Sequence, residues 1–199
     1  MAAQYLTALY QLAKAAVEKE DYAEAKELLL RAVGEYPHNL GEGKLESGQE
    51  NNLYYLLGLV QEKLGEAKDA FESLTRACCG ESEPVGMMYY NDQPPEMIYY
   101  QGLAYRMLGE EEQAVRRFQK LVDYGREHIR DDVKIDYFAV SLPDLLIFEE
   151  NLNERNRKHC LFMMSLGLKG LGRIDEAEKC AEELLAMDNA HQEIRVHDL

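Results

Sequence analysis

The sequence predicts an all-α protein of about four antiparallel helical hairpins, and three observations carry that prediction. Apolar residues recur at helical spacing along most of the 199-residue chain. A small residue returns at Ala13, Gly58, Gly102 and Ser165, and twelve residues after each stands an alanine: Ala25, Ala70, Ala114 and Ala177. A Leu-Gly pair marks the turn in three copies, at Leu64-Gly65, Leu108-Gly109 and Leu171-Gly172. Small residues let two helices approach closely, while larger ones fill the gap beside them.

The first hairpin spans about residues 4–36. Tyr5, Leu6, Leu9, Leu12, Ala13, Ala16 and Val17 form one helical stripe, and Ala25, Leu28, Leu29, Ala32 and Val33 form the next. Lys19-Glu20-Asp21-Tyr22 between them is short and polar, so the two helices run antiparallel. Pro37 stops the second helix. The same layout predicts hairpins over about 51–78, 95–125 and 157–188. Four residues before each small landmark stands Leu9, Tyr54, Ile98 or Leu161. Four after each alanine come Leu29, Leu74, Phe118 and Ala181, and three beyond those Ala32, Ala77, Leu121 and Leu184. The whole chain, 1–199, is expected to form a single domain.

These landmarks resemble the tetratricopeptide repeat, with its large residue, Leu-Gly and Tyr on the first helix and Ala, Phe and Ala on the second. Leu57-Gly58 and Gly102 followed by Tyr105 carry the match. The chain departs from the pattern in having no tryptophan, Gln61 where an aromatic is usual and Gln101 where leucine is usual. The resemblance covers about two thirds of the residues. It implies a right-handed α-solenoid in which each hairpin buries its apolar faces only by stacking on neighbours.

Successive alanine landmarks lie 45, 44 and 63 residues apart, against about 34 for the ordinary repeat. The surplus falls in insertions over about 38–50, 79–94 and 126–156, and long insertions in compact domains are commonly functional or disordered. The first contains Gly43-Lys44, but Leu45 replaces the Ser/Thr of a phosphate loop and no strand precedes it, so no nucleotide cofactor is expected. The second ends in Pro94-Pro95, which suits the first turn of the next helix. Its tyrosines, Tyr89 and Tyr90, suit packing over the preceding hairpin as well as ligand contact. The third contains Pro143-Asp144-Leu145-Leu146-Ile147-Phe148, an extra helical segment before the last hairpin. Asp131, Asp132 and Asp136 there match no calcium-loop spacing, and no metal ligand set is predicted.

The insertions also carry a narrower resemblance. Asn39-Leu40-Gly41-Glu42-Gly43-Lys44, Tyr90-Asn91-Asp92-Gln93-Pro94-Pro95 and the run from Lys134 to Asp144 are similar to the C-terminal repeat region of large, uncharacterised bacterial proteins. In those proteins a β-rich portion associated with carbohydrate metabolism precedes the repeats. This resemblance implies that the partner is the N-terminal part of the same, longer chain. Met1-Ala2-Ala3 running straight into helical pattern suits a start placed inside such a protein.

Composition narrows the function classes. A net charge of −15 repels phosphate backbones and anionic lipid, so neither nucleic acid nor membrane is an expected partner. The densest basic run, Arg155-Asn156-Arg157-Lys158-His159, follows Glu149, Glu150 and Glu154 and reads as a solvated helix face. Cys78, Cys79, Cys160 and Cys180 show no paired framework, which fits a reducing, cytoplasmic setting. Catalysis by the isolated chain is not expected. Glu50, Asp92, Asp136, Asp144 and His159 all lie near insertions, but 37 acidic residues make such groupings common. Cys160 beside His159 fails as a nucleophile–base pair because helix neighbours face different ways.

The family resemblance implies that the first helix of each hairpin lines a concave face. Projected on it are Tyr10, Lys14, Asn52, Tyr55, Glu62, Glu96, Tyr99, Arg106, His159, Phe162 and Lys169. Tyr10, Tyr55, Tyr99 and Phe162 would form an aromatic ladder there, or cover the seams between repeats. The sequence-level candidates for partner binding are Tyr10, Asn52, Tyr55, Tyr99, Arg106, His159 and Phe162 from this face. Asn91, Asp92, Gln93 and Asp136 join them from the insertions. The expected function is a non-catalytic scaffold for a protein or peptide. The alternative is a helical accessory domain whose insertions complete a carbohydrate-binding or carbohydrate-processing site.

Overall fold

A computed structural model of the chain describes residues 2–34, 49–86, 93–134 and 151–197. These residues are helical and contain no strand: α1 (Ala2–Glu18), α2 (Tyr22–Val33), α3 (Asn51–Lys63), α4 (Ala67–Ala77), α5 (Pro95–Met107), α6 (Glu111–His128), α7 (Leu152–Gly170), α8 (Ile174–Met187) and α9 (Gln192–Val196). α1 with α2, α3 with α4 and α7 with α8 pair as hairpins, and α5 is followed by α6 across the Leu108-Gly109 turn. α9 is a short addition that the periodicity did not announce. The extra segment expected at 143–148 lies outside the described residues. The third insertion is shorter at both ends than the sequence suggested, since α6 runs to His128 and α7 starts at Leu152.

All four turns share one hydrogen-bonded form. The residue seven beyond each small landmark has a positive φ: Glu20 at 60°, Gly65 at 79°, Gly109 at 81° and Gly172 at 74°. The next amide reaches back five residues, as in Asp21 N–H to Ala16 O at 2.9 Å and Glu66 N–H to Gln61 O at 2.9 Å. That bond caps carbonyls the helix end leaves open. Asp21 then turns to the following helix and accepts the Glu24 amide at 3.1 Å as its N-cap.

The chain divides into two compact units, Met1–Gly80 with Tyr100–Ala114 and Glu81–Tyr99 with Val115–Leu199. In the first, α1 packs on α2, α2 on α3 and α3 on α4. Ala13, Ala25, Leu29 and Ala32 are fully enclosed, whereas Leu12, counted on the apolar stripe, faces outward. A β-carbon on Gly58 would come within 2.6 Å of Leu74 Cγ, so the small landmark is required by the α3–α4 crossing. Leu74, Ala77 and Ala104 continue this core under Tyr54, Tyr55, Met107 and Leu108. The two glutamines that depart from the repeat pattern are both buried and bonded. Gln61 accepts the Ser73 hydroxyl at 2.7 Å, and Gln101 donates to Cys79 O at 3.1 Å. Asn51 adds bonds to Ala77 O and Cys79 O, fixing the chain where it leaves α4.

In the second unit Phe118, Leu121 and Val122 of α6 meet α7 across glycine. A β-carbon on Gly167 would sit 2.6 Å from Phe118 O, and one on Gly170 would collide with the Phe118 ring. Gly125 lies as closely against Met164 and Cys160. α7 and α8 close the unit around Leu161, Met163, Leu168 and Leu184. The segment after Gly80 is held by polar contacts. Gln93 donates to Glu81 O at 2.6 Å, His159 Nε2 is 2.8 Å from Val85 O, and Lys120 bonds Ser82 and pairs with Glu83. Among the described residues no helix is long and apolar enough to cross a membrane.

Candidate functional site

The sequence-predicted residues fall in different settings. Asn91, Asp92 and Asp136 lie outside the described residues. In the first unit Tyr10 is 2% exposed, and its hydroxyl lies 2.6 Å from that of Tyr100. The rings meet edge to face at 6.4 Å, and Tyr55 leans on the same Tyr100 ring at 5.5 Å. Lys14 sits 5.9 Å over the Tyr10 ring. Asn52 and Tyr55 are half-buried, and burial holds the Tyr55 phenol above its usual range while the Arg106 charge pulls it down. Arg106 itself clamps Glu111 through Nε and Nη2. The partner of Tyr10 and Tyr55 is thus Tyr100, whereas Tyr99, the position projected for the ladder, turns to Phe118 in the second unit at 5.7 Å. Neighbours on a helix point about 100° apart, so a one-residue error of face changes the partner completely.

The second unit gathers Gln93, Tyr99, His159 and Phe162, all buried. Beside them opens a cleft of about 400 Å³. Pro94, Pro95 and Glu96 open α5 on one side, and Arg155, Lys158, His159 and Phe162 line α7 on the other. Asp188, His191 and Glu193 bound it from the segment that carries α9. Each of these positions has a local cause. Pro95 stands at the first helical position, where a missing N–H costs no intrahelical bond. Asn151 caps α7 by accepting the Glu154 amide, and His191 caps α9 through Nδ1 to the Ile194 amide. The His191 ring also stacks at 5.5 Å on Phe162.

The basic run on α7 is not uniformly solvated. Asn156 is buried and donates to His128 O, Arg157 pairs with Glu183, and Lys158 lies 3.7 Å from Asp188 and 3.9 Å from Glu154. Acidic partners therefore offset much of its charge.

Glu96 is the exceptional group. It is 7% exposed, and its Oε2 is buried without a hydrogen-bond partner among the described residues. The His197 imidazole faces it, with Nε2 3.8 Å from Oε1, beyond hydrogen-bond reach. Burial raises the carboxyl from its ordinary 4.5 to about 7; its own backbone N–H opposes the rise and Glu193 adds to it. A buried polar group left unsatisfied typically costs about 1–3 kcal/mol. Glu96 was on the projected face but was not chosen as a site residue, because burial of a carboxylate leaves no mark in sequence spacing.

Cys160 adjoins His159 on α7. It is fully enclosed, and burial, with Asp131 as a lesser cause, pushes its thiol up to about 12. Cys78, Cys79, Cys160 and Cys180 stand as thiols, none of them in a disulfide. Among the described residues no cluster of three His, Cys, Asp or Glu side chains could hold a metal ion.

Residues 10–84 match a model of the tetratricopeptide repeat family, and residues 96–124 match a second model of the same description. Together the matched segments take in a little over half of the chain, including the first three hairpins nearly whole. The α7–α8 hairpin keeps the same landmarks beyond them. A solved structure described as the crystal structure of MamA aligns with 94% of this chain and 81% of that chain at 19% identity. Its TM-score of 0.33 is too low to support any conclusion about shape or function.

Proposed function

Because the chain belongs to the tetratricopeptide repeat family, we propose that it is a non-catalytic scaffold that binds another protein or a peptide. The cleft between the start of α5 and α7 carries this reading. It offers proline and aromatic surface for apolar contact and charged groups of both signs for orientation, the mixture by which a pocket selects a peptide. Tyr10, Asn52, Tyr55 and Arg106 offer a second polar-aromatic surface in the first unit. Buried Tyr10 supports the shape of that surface, while half-buried Tyr55 and exposed Arg106 are the contact residues.

The narrower resemblance would make the partner the preceding part of a longer bacterial chain. Its motifs fall mainly on residues outside the described ones, as do Asn91, Asp92 and Asp136. The carbohydrate reading rests on those same residues. Loss of activity of the longer protein on joint Asp92→Asn and Asp136→Asn substitution would be needed to favour it.

The test of the scaffold is selection of random twelve-residue peptides displayed on phage against the immobilised full chain. Recurrent sequences that compete with one another, and whose binding changes on Tyr55→Ala or on Lys158→Glu, are the expected result. Failure of any sequence to recur would overturn the reading.

A further inference from the structure

We propose that the cleft beside α5 is a receptor for a basic side chain, a lysine or arginine of the partner, with Glu96 as its anchor. The inference rests on the scaffold reading above and adds the chemical class of what is bound.

Four observations lead to it. Glu96 lines the cleft at the opening of α5, and its buried Oε2 accepts no hydrogen bond from the described residues. Buried polar atoms in folded proteins are nearly always paired, so an unpaired carboxylate oxygen at a cleft floor calls for a donor from outside. The walls suit the stem of such a side chain: Pro94, Pro95 and the Phe162 ring offer apolar surface for methylene groups, with the polar head beyond them. The charges agree as well. Glu96, Asp188 and Glu193 outnumber Arg155 and Lys158 in the lining, and Lys158 is already shared between Asp188 and Glu154. A chain of net charge −15 draws cations towards it from a distance.

An anionic occupant fares worse on each point. It would place its charge beside Glu96 and Glu193 and leave Oε2 as it is, and it would compete with Asp188 for Lys158. A cationic one supplies the missing donor and favours the ionised form of Glu96. Binding therefore strengthens as pH rises through about 7 and levels off above it. The titratable groups around Glu96 are His197, His191, His159 and Glu193.

The experiment is the same peptide selection, read for composition and repeated with Glu96→Gln. This substitution keeps the shape of the side chain and removes a buried charge, so folding is retained. Thermal denaturation of the variant checks that. Recurrent peptides enriched in lysine or arginine, weakened about tenfold or more by Glu96→Gln and by changing the basic residue to norleucine, are expected. Recurrent peptides without a basic residue, or indifferent to Glu96→Gln, would overturn this inference and leave the scaffold standing. If no peptide recurs, both fall. Direct titration with n-butylammonium and with butyrate, followed by amide NMR shifts, separates the ligand chemistry from the peptide. Saturable shifts around Glu96 and Phe162 are expected from the ammonium alone, and shifts from butyrate alone or from neither overturn the assignment.

Discussion

A carboxylate at position 96 costs the fold something that a neutral side chain would not. In the unfolded chain its carboxyl titrates near 4.5, and in the folded chain near 7. Between those values the folded state holds the extra proton, so this group's contribution to stability falls as pH rises through the window. Below it both states are protonated and the difference disappears; above it the full cost of burying the charge is present. Glu96→Gln is neutral throughout. The variant is therefore expected to exceed the natural chain in stability by up to about 3 kcal/mol near pH 8, and by very little near pH 4. Urea denaturation of both proteins at the two pH values measures the difference. A gap of equal size at both would show that the charge of Glu96 is not what the substitution relieves. The same residue thus links a stability cost to the binding role assigned to the cleft.

Among elements, the four turns allow a sharper comparison, since they share one backbone form and differ in one residue. Glu20 holds the φ of 60° that Gly65, Gly109 and Gly172 adopt freely. A side chain in this region costs about 1–2 kcal/mol, and glycine returns about 0.5–1 kcal/mol of that through the greater freedom of its unfolded state. Strain is the larger, so Glu20→Gly should stabilise the chain by about 0.5–1 kcal/mol, and Gly65→Ala should destabilise it by about the same or more. Chemical denaturation of the two variants checks both signs. The hairpins themselves were legible in the sequence because close helix crossings favour small residues: a β-carbon at Gly58 would collide with Leu74, and Ala13, its counterpart in the first hairpin, is fully enclosed. The first turn was legible only as polar and short, since nothing about Glu20 announces its backbone. Gln61 and Gln101 looked like departures from the pattern because their partners, Ser73 and Cys79, lie elsewhere in sequence. The cleft was less legible still. His159 and Phe162 were identified, but their neighbours Glu96, Asp188 and His191 come from distant segments, and His159 is bonded to Val85, 74 residues away. Helical periodicity reports which way a residue faces within its own hairpin, and says little about what another segment brings to it.

For the molecule as a whole, acidity is distributed rather than confined to one site. Acidic residues occupy the first turns of α2, α4, α5, α6, α7, α8 and α9, where the helix dipole favours them. Several basic side chains are paired with acids, as in Lys26 with Glu66, Arg157 with Glu183 and Arg173 with Glu176. The surplus of −15 therefore acts at long range, while Glu96 acts only on contact. Long-range attraction governs how fast a basic peptide arrives, and a desolvated contact governs how long it stays. Raising salt from about 0.02 to 0.3 M shortens the screening length from about 20 Å to about 6 Å. Stopped-flow measurements with a selected basic peptide should then show association slowing by about tenfold, with dissociation much less affected. Glu96→Gln should show the converse, faster dissociation with association nearly unchanged, because it removes one of 37 acidic side chains. If the substitution slowed association as strongly as salt does, Glu96 would be part of the general field and not the anchor of the cleft.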